Sequence, residues 1–320
     1  MKETTNERRQ VKDRRVKKEP YLLHIFCPTK NVSPFDINMA YEAQYDAVIP
    51  YSDVIVDDIQ ALTQDTIFSR GPKGVKRTGI FIGGRDFGLA IDMLDAARTA
   101  MVPPFEVSVF ADPSGAITTA AALLACVEHW VRRQGVSGLK GLDIQIFGGT
   151  GPVGVCAGLL AGGAGAKVSL VSHQGAAVAQ ALADKYNHRF GTDMVGADGS
   201  SHAACQALLE RADVVIGAAK AGVQVLSSMQ LRHANRLIVA ADVNAVPPLG
   251  IEGVGVHDMG KVLDVTPRRA VGIGALAVGD IKYKVHTRLF KMMFETEKPI
   301  YLSFPEAFEV AREIATADAD

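Results

Sequence analysis

Cysteine is scarce: the 320 residues hold four, Cys27, Cys126, Cys156 and Cys205, and no two stand at a disulfide-framework or metal-ligand spacing. They read as reduced, buried small residues of a cytoplasmic protein. Charge of one sign is lacking too. The formal net charge is −1, so nothing draws the chain as a whole to nucleic acid or to an anionic membrane. Long apolar runs are also wanting. The uncharged stretch Ile144–Ala166 is long enough to span a bilayer, but eight of its residues are glycine and one is proline, which excludes a transmembrane helix. No Ser/His/Asp set and no metal-ligand cluster emerges, so neither a hydrolytic triad nor a metal is expected. What remains, 48% hydrophobic and 22% charged, is ordinary globular composition, long enough for about two domains.

Charge is unevenly spread. Residues 1–19 carry eight Lys/Arg and four Asp/Glu and almost nothing apolar, which predicts a solvated, disordered basic tail. An interaction arm is the sharper alternative. A secretory signal is excluded by the missing apolar segment.

From Tyr21 onward, short apolar runs alternate with segments of helical spacing. Tyr21–Cys27, Ala47–Tyr51, Thr78–Ile82 and Phe105–Ala111 read as strands. Ser33–Gln44, Asp57–Phe68, Phe87–Met101 and Ser114–Arg133 read as the helices between them. A second series runs through strands at Gly141–Phe147, Lys167–Ser172, Met194–Ala197, Asp213–Ala218 and Arg236–Asp242, with helices at Gly175–Phe190 and Ser201–Arg211. Arg269–Gly279 is strand or loop, and helices follow at Lys282–Phe294 and Pro305–Thr316. Such alternation implies right-handed crossovers and parallel sheets. The expected architecture is α/β: a Rossmann doubly wound parallel sheet plus a smaller parallel α/β domain, with a cleft between them.

The strongest motif is Gly149-Thr150-Gly151-Pro152-Val153-Gly154, a GxGxxG that follows a strand and opens a helix. Gly149 permits the tight turn, Gly151 lets backbone approach a pyrophosphate, and Gly154 lets helix and strand pack closely. The helix start offers free N–H groups and the positive end of a dipole. The next strand ends in Ser172-His173-Gln174, with neither the acidic residue common for NAD nor the arginine common for NADP. Use of NAD or NADP is therefore expected. Ala218 and Ala219, and Asp242 and Asn244, follow later strands and should line the same crevice.

Several segments together resemble the bacterial NAD(P)-dependent methylene-tetrahydromethanopterin dehydrogenases. They are Ser33–Ala40 (SPFDINMA), Thr63–Arg70 (TQDTIFSR), Arg77–Gly84 (RTGIFIGG), Val109–Pro113 (VFADP), Gly148–Gly154 (GGTGPVG), Ala241–Gly250 (ADVNAVPPLG) and Val271–Lys284 (VGIGALAVGDIKYK). The resemblance runs over about residues 21–316. It implies a pterin-binding domain over 20–125, completed by C-terminal helices in 286–320, and a nucleotide-binding domain over 126–285. It implies a reduced pterin as substrate, one-carbon (formaldehyde) oxidation as setting, and a homo-oligomer, a trimer in one subclass. The strictly NADP-dependent relatives carry arginine where His173 stands here, which implies the subclass that accepts both nucleotides.

Hydride transfer from a methylene bridge between two nitrogens leaves a methenyl cation and removes no proton, so no strong general base is required. Asp36, at the start of the first helix, suits hydrogen bonding to the pterin or stabilisation of the developing cation. The bland reading is a helix-start carboxylate facing the dipole. Lys282 matches a lysine that sits at the active site in the family, and either positions substrate or is merely an exposed helix start. Ser33, Phe35, Arg85, Asp112 and Ser114 lie at strand or helix ends where substrate would bind. His286, near Lys282, reads as a packed or capping residue. A methylene-tetrahydrofolate dehydrogenase, or a non-catalytic NAD(P)-binding sensor, remain the alternatives. A shikimate-dehydrogenase-like enzyme is disfavoured by the SPFD and DVNAVPP segments.

Overall fold

A computed structural model describes residues 19–317, so the basic tail expected over 1–19 lies outside the described residues but for Glu19. Two sheets form. The first takes β1 (Leu22–Phe26), β2 (Ala47–Tyr51), β3 (Thr78–Ile82) and β4 (Ser108–Ala111), with helices α1 (Pro34–Glu42), α2 (Ile59–Phe68), α3 (Pro72–Val75) and α4 (Phe87–Thr99) between them. Helix α5 (Ala116–Arg133) leads to the second. There β5 (Asp143–Phe147), β6 (Lys167–Ser172), β7 (Val195–Asp198), β8 (Val214–Gly217) and β9 (Val239–Asp242) alternate with α6 (Pro152–Gly163), α7 (Ala176–Phe190), α8 (His202–Arg211) and α9 (Ser228–Leu231). The chain ends with β10 (Met259–Val262), β11 (Val271–Ile273), α10 (Ala275–Glu295), β12 (Tyr301–Leu302) and α11 (Phe304–Ala317).

The first sheet has the order β12-β4-β3-β1-β2 and is parallel throughout. The second has the order β10-β11-β9-β8-β5-β6-β7 and is parallel except for the edge strand β10. Read from β7, that is the doubly wound order of nucleotide-binding folds, as expected. Strands β3, β4, β8 and β9 are buried along their whole length, because helices cover both faces.

Helix α5 is the spine. With its preceding turn, residues 113–133 are long and apolar enough to cross a membrane, but most of that segment is buried inside the fold. Its alanine-rich first half lets α6, α10 and α11 approach closely. The expected boundary between residues 125 and 126 falls inside this helix, which serves both sheets. Helix α10 crosses back to α1, β3 and β4, and β12 adds a strand beside β4. Helix α11 packs chiefly on α5 and also touches α6.

Some elements differ from expectation. Helix α10 begins at Ala275, not Lys282, because the Gly/Ala-rich run splits into strand β11 and a helix start pinned by Leu276 N–H donating to Val256 O at 2.8 Å. Strands β10 and β12 and the one-turn helices α3 and α9 carry no sequence signal, being too short to show a period. All four cysteines are free and buried, as read.

Candidate active site

The glycine turn leaves β5 with Gly148 in the left-handed region, φ +74°, where a Cβ would stand 2.5 Å from the Ala219 nitrogen. A Cβ on Gly149 would meet Ile146 O at 2.7 Å, and one on Gly154 would meet Gly148 O at 2.7 Å. Packing alone therefore demands those glycines. Gly151 is different. Its φ of −77° suits any residue, and a Cβ there would meet nothing nearer than Gly148 O at 3.4 Å. Neither conformation nor crowding explains it, whereas a phosphate held against the first turn of α6 would. Pro152 opens that helix with Thr150 and Val153 flanking it. The residues present thus fit a dinucleotide.

Around the turn stand the other strand ends. Ser172 is buried, its Oγ accepting from Gln174 N–H at 3.1 Å, while His173 is exposed. Ala218 and Ala219 follow β8. Asp242 is buried; its Oδ1 accepts from Asn244 N–H and its Oδ2 from Ile251 N–H, each at 3.1 Å. Burial raises its pKa despite those backbone amides. Asn244 Oδ1 accepts from the backbone N–H of Gly222 and Val246, and its Nδ2 donates to Pro248 O. These two side chains are committed to shaping the loops after β8 and β9, so that face of the crevice is offered by backbone.

At the carboxyl ends of β1, β3 and β4 a second group converges. Asp36 in α1 is buried, with Oδ1 lacking a partner and Oδ2 against Gly83 at the end of β3. Burial first, then the Asp112 carboxylate, pushes Asp36 up to about 7, while Lys282 pulls the other way. The Lys282 ammonium, reaching from α10, lies 4.5 Å from the ring centroid of Phe35, a residue that is 41% exposed. Gly115, φ +66°, forms the floor: a Cβ there would stand 2.5 Å from Lys282 Nζ. Asp112 is wholly buried beneath. Its Oδ1 accepts from Ile117 and Thr118 N–H, and its Oδ2 from Thr118 Oγ1 at 2.6 Å, which ties down the start of α5. Burial pushes its pKa up, but His286, Thr118 and Lys282 together hold it below the ordinary carboxylate value.

The structure therefore brings Asp36, Phe35 and Lys282 together and puts Asp112 under them. Ser114 is exposed, its hydroxyl donating to Gly84 O at 2.9 Å and bridging the ends of β3 and β4. Ser33 precedes α1 without capping it through its side chain, and Arg85 is exposed beyond β3. His286, read as packed, is buried with Nδ1 3.1 Å from Asp112 Oδ2. No sequence signal marks Gly115, which belongs to no motif. Its need for φ above zero appears only when α5 is built.

Cys156 of α6 lies close enough to Asp112 for the carboxylate, after burial, to help raise its thiol pKa. A cavity of about 240 Å³ lined by Thr78, Phe105, Ser108 and Met293 opens instead at the amino ends of β3 and β4, and carries none of this chemistry. Among the described residues no group of three or more metal-ligating side chains occurs.

Residues 34–114 match the family model described as methylene-tetrahydromethanopterin dehydrogenase, N-terminal. The NAD(P)-dependent methylenetetrahydromethanopterin dehydrogenase of Methylorubrum extorquens is 45% identical over 294 residues, 92% of this chain and 98% of that protein. The bifunctional protein MdtA of the same organism is 33% identical over 294 residues, 92% of this chain and 99% of that protein. Among solved structures, shikimate 5-dehydrogenase from Listeria monocytogenes in complex with shikimate and NAD has a TM-score of 0.51 at 14% identity, covering 94% of this chain and 98% of that one. At that identity the likeness speaks for the fold alone.

Proposed function

This chain belongs to the methylene-tetrahydromethanopterin dehydrogenases, and from that premise we propose that it transfers hydride from methylene-tetrahydromethanopterin to NAD(P)+, giving the methenyl product in one-carbon oxidation. The observation that carries the reading is the buried Asp36 carboxyl with a free Oδ1, set beside Lys282 and the open face of Phe35. Phe35 gives a flat apolar surface for a pterin ring. Lys282 supplies N–H donors that orient the substrate. Asp36, when ionised, faces the positive charge that spreads over the two substrate nitrogens. The pterin domain over 20–125, with Ser33, Arg85, Asp112 and Ser114 at its strand ends, is part of this reading.

Bound NAD(P)+ would supply the hydride acceptor. Gly149 to Gly154 would hold its pyrophosphate, and Ser172 and His173 would meet the adenine-side ribose. Ala218, Ala219 and the backbone at Asp242 and Asn244 would border the nicotinamide side. The resemblance further supports a homo-oligomer, a trimer, and the free cysteines support a cytoplasmic setting. Light scattering measures the first and fractionation the second.

The deciding assay follows nicotinamide absorbance with methylene-tetrahydromethanopterin and with methylene-tetrahydrofolate, each with NAD and with NADP. Reduction of both nucleotides with the methanopterin substrate is expected. Turnover with folate alone would replace the carrier. No turnover in protein that binds nucleotide would make the chain a sensor.

A further inference from the structure

Resting on the dehydrogenase reading, we propose that His286, through its contact with Asp112, is the positioning residue that fixes Lys282 and Phe35 at the pterin site. His286 stands one helical turn beyond Lys282 on α10, so the two side chains share a face. Its ring is fully buried, with centroids 5.6 Å from Phe35, 6.0 Å from Phe81, 5.4 Å from Phe110 and 4.9 Å from Phe290. A phenylalanine would fill that space without burying two polar nitrogens, so a histidine there calls for a reason beyond packing. The polar atom within reach is Asp112 Oδ2, 3.1 Å from Nδ1. The approach is bent, so neither ring nitrogen has an in-line hydrogen-bond partner in this conformation. Distance and burial together place Nδ1 where a proton on it would face Asp112 Oδ2.

Three elements converge through that contact. Asp112 holds the start of α5 through Ile117 and Thr118, and so holds Gly115, the floor under Lys282 Nζ. The His286 ring meets Phe35 of α1 edge to face, and the Lys282 ammonium lies over the same Phe35. His286 thereby keeps α10, α5 and α1 in one register around the lysine. It touches no reacting atom.

The test compares wild type with His286→Phe and His286→Asn. Phenylalanine keeps the ring and loses the donor, while asparagine carries a side-chain N–H close to the place of Nδ1. His286→Phe should lose roughly tenfold or more in kcat/KM for the pterin, with the nucleotide Kd within about twofold. His286→Asn should recover most of that loss. The inference is overturned if His286→Phe turns over pterin within about twofold of wild type, or if His286→Asn is as poor as His286→Phe. It is overturned equally if both variants lose nucleotide binding or melt more than about 10 °C lower, since the residue would then serve folding alone. If wild type turns over no pterin, the dehydrogenase reading fails, and nitrogen NMR of the imidazoles decides the contact by itself. A His286 whose proton stays on Nδ1 supports the pair, and one whose proton sits on Nε2 alone overturns it.

Discussion

Gly115 and Lys282 are in direct contact: a Cβ on the glycine would stand 2.5 Å from the lysine Nζ and 2.9 Å from its Cε. The glycine also has φ +66° at the start of α5. Gly115→Ala therefore acts twice. Left-handed backbone should cost about 1–2 kcal/mol of stability. The lysine tip, being the flexible partner, should give way rather than the fold. The expected outcome is a modest fall in melting temperature with a much larger fall in kcat for the pterin and unchanged nucleotide affinity. Full activity in Gly115→Ala would show that the position of Nζ is irrelevant.

Gly151 separates packing from ligand binding. An added methyl there meets only an ordinary contact at 3.4 Å, whereas one on Gly154 would collide with backbone at 2.7 Å. Gly151→Ala is expected to melt within about 0.5 kcal/mol of wild type. Its Kd for NAD and NADP should rise by roughly tenfold or more, because the methyl would occupy the space proposed for a pyrophosphate. Gly154→Ala should lose both stability and binding. Titration calorimetry beside thermal melts reads the pair, and unaltered nucleotide binding in Gly151→Ala would overturn this use of the turn.

Asp36 should make both activity and stability depend on pH. Its folded value is about 7, and an unfolded aspartate titrates near about 3.9. Between these the folded chain keeps a proton that the unfolded chain has released, so this group's stabilisation declines as pH rises from about 4 to about 7. At about 1.4 kcal/mol per unit the ceiling is about 4 kcal/mol. Asp112, held low, acts with the opposite sign and loses its stabilisation as pH falls below the unfolded value. Burial sets most of the Asp36 value, and Asp112 and Lys282 are the charged neighbours that adjust it. Asp36→Asn should thus be more stable than wild type above neutrality and about equal to it near pH 4. Wild-type kcat should rise through about pH 7 as the carboxylate ionises, and Asp36→Asn should be slow and flat. A variant that keeps the wild-type pH slope in its melts would sink this assignment.

The sequence carries the fold well wherever period and punctuation agree. The glycine turn, the alternation of strand and helix, and the second doubly wound sheet all rest on local patterns that tertiary contacts reinforce. Strands β10 and β12 escaped because two to four residues show no period, and they form only by adding to edges made elsewhere in the chain. Asp36 and Lys282 were legible as candidates, but not their closeness, which depends on α10 returning across more than half of the chain to meet α1. Asp112 illustrates the limit best. Its place after a strand marks it for the crevice, yet its carboxylate turns inward because the free amides at the start of α5 outbid the solvent. No linear pattern announces which way that side chain turns.

Nucleotide choice should turn on His173. Ser172 Oγ accepts from Gln174 N–H and sets the shape of the turn after β6, so His173 is left exposed and without a part in holding the loop. A change there should leave the fold alone and act on the adenine-side ribose. His173→Asp places a carboxylate that accepts from a 2′-hydroxyl and repels a 2′-phosphate. The ratio of kcat/KM for NAD over NADP should rise by roughly tenfold or more, about 1.4 kcal/mol of discrimination, with melting temperature unchanged. His173→Arg should move the ratio the other way by pairing with the phosphate. Opposite shifts from the two variants would locate the ribose at the end of β6. Equal kinetics with both nucleotides in each variant would mean that selectivity is set by another loop.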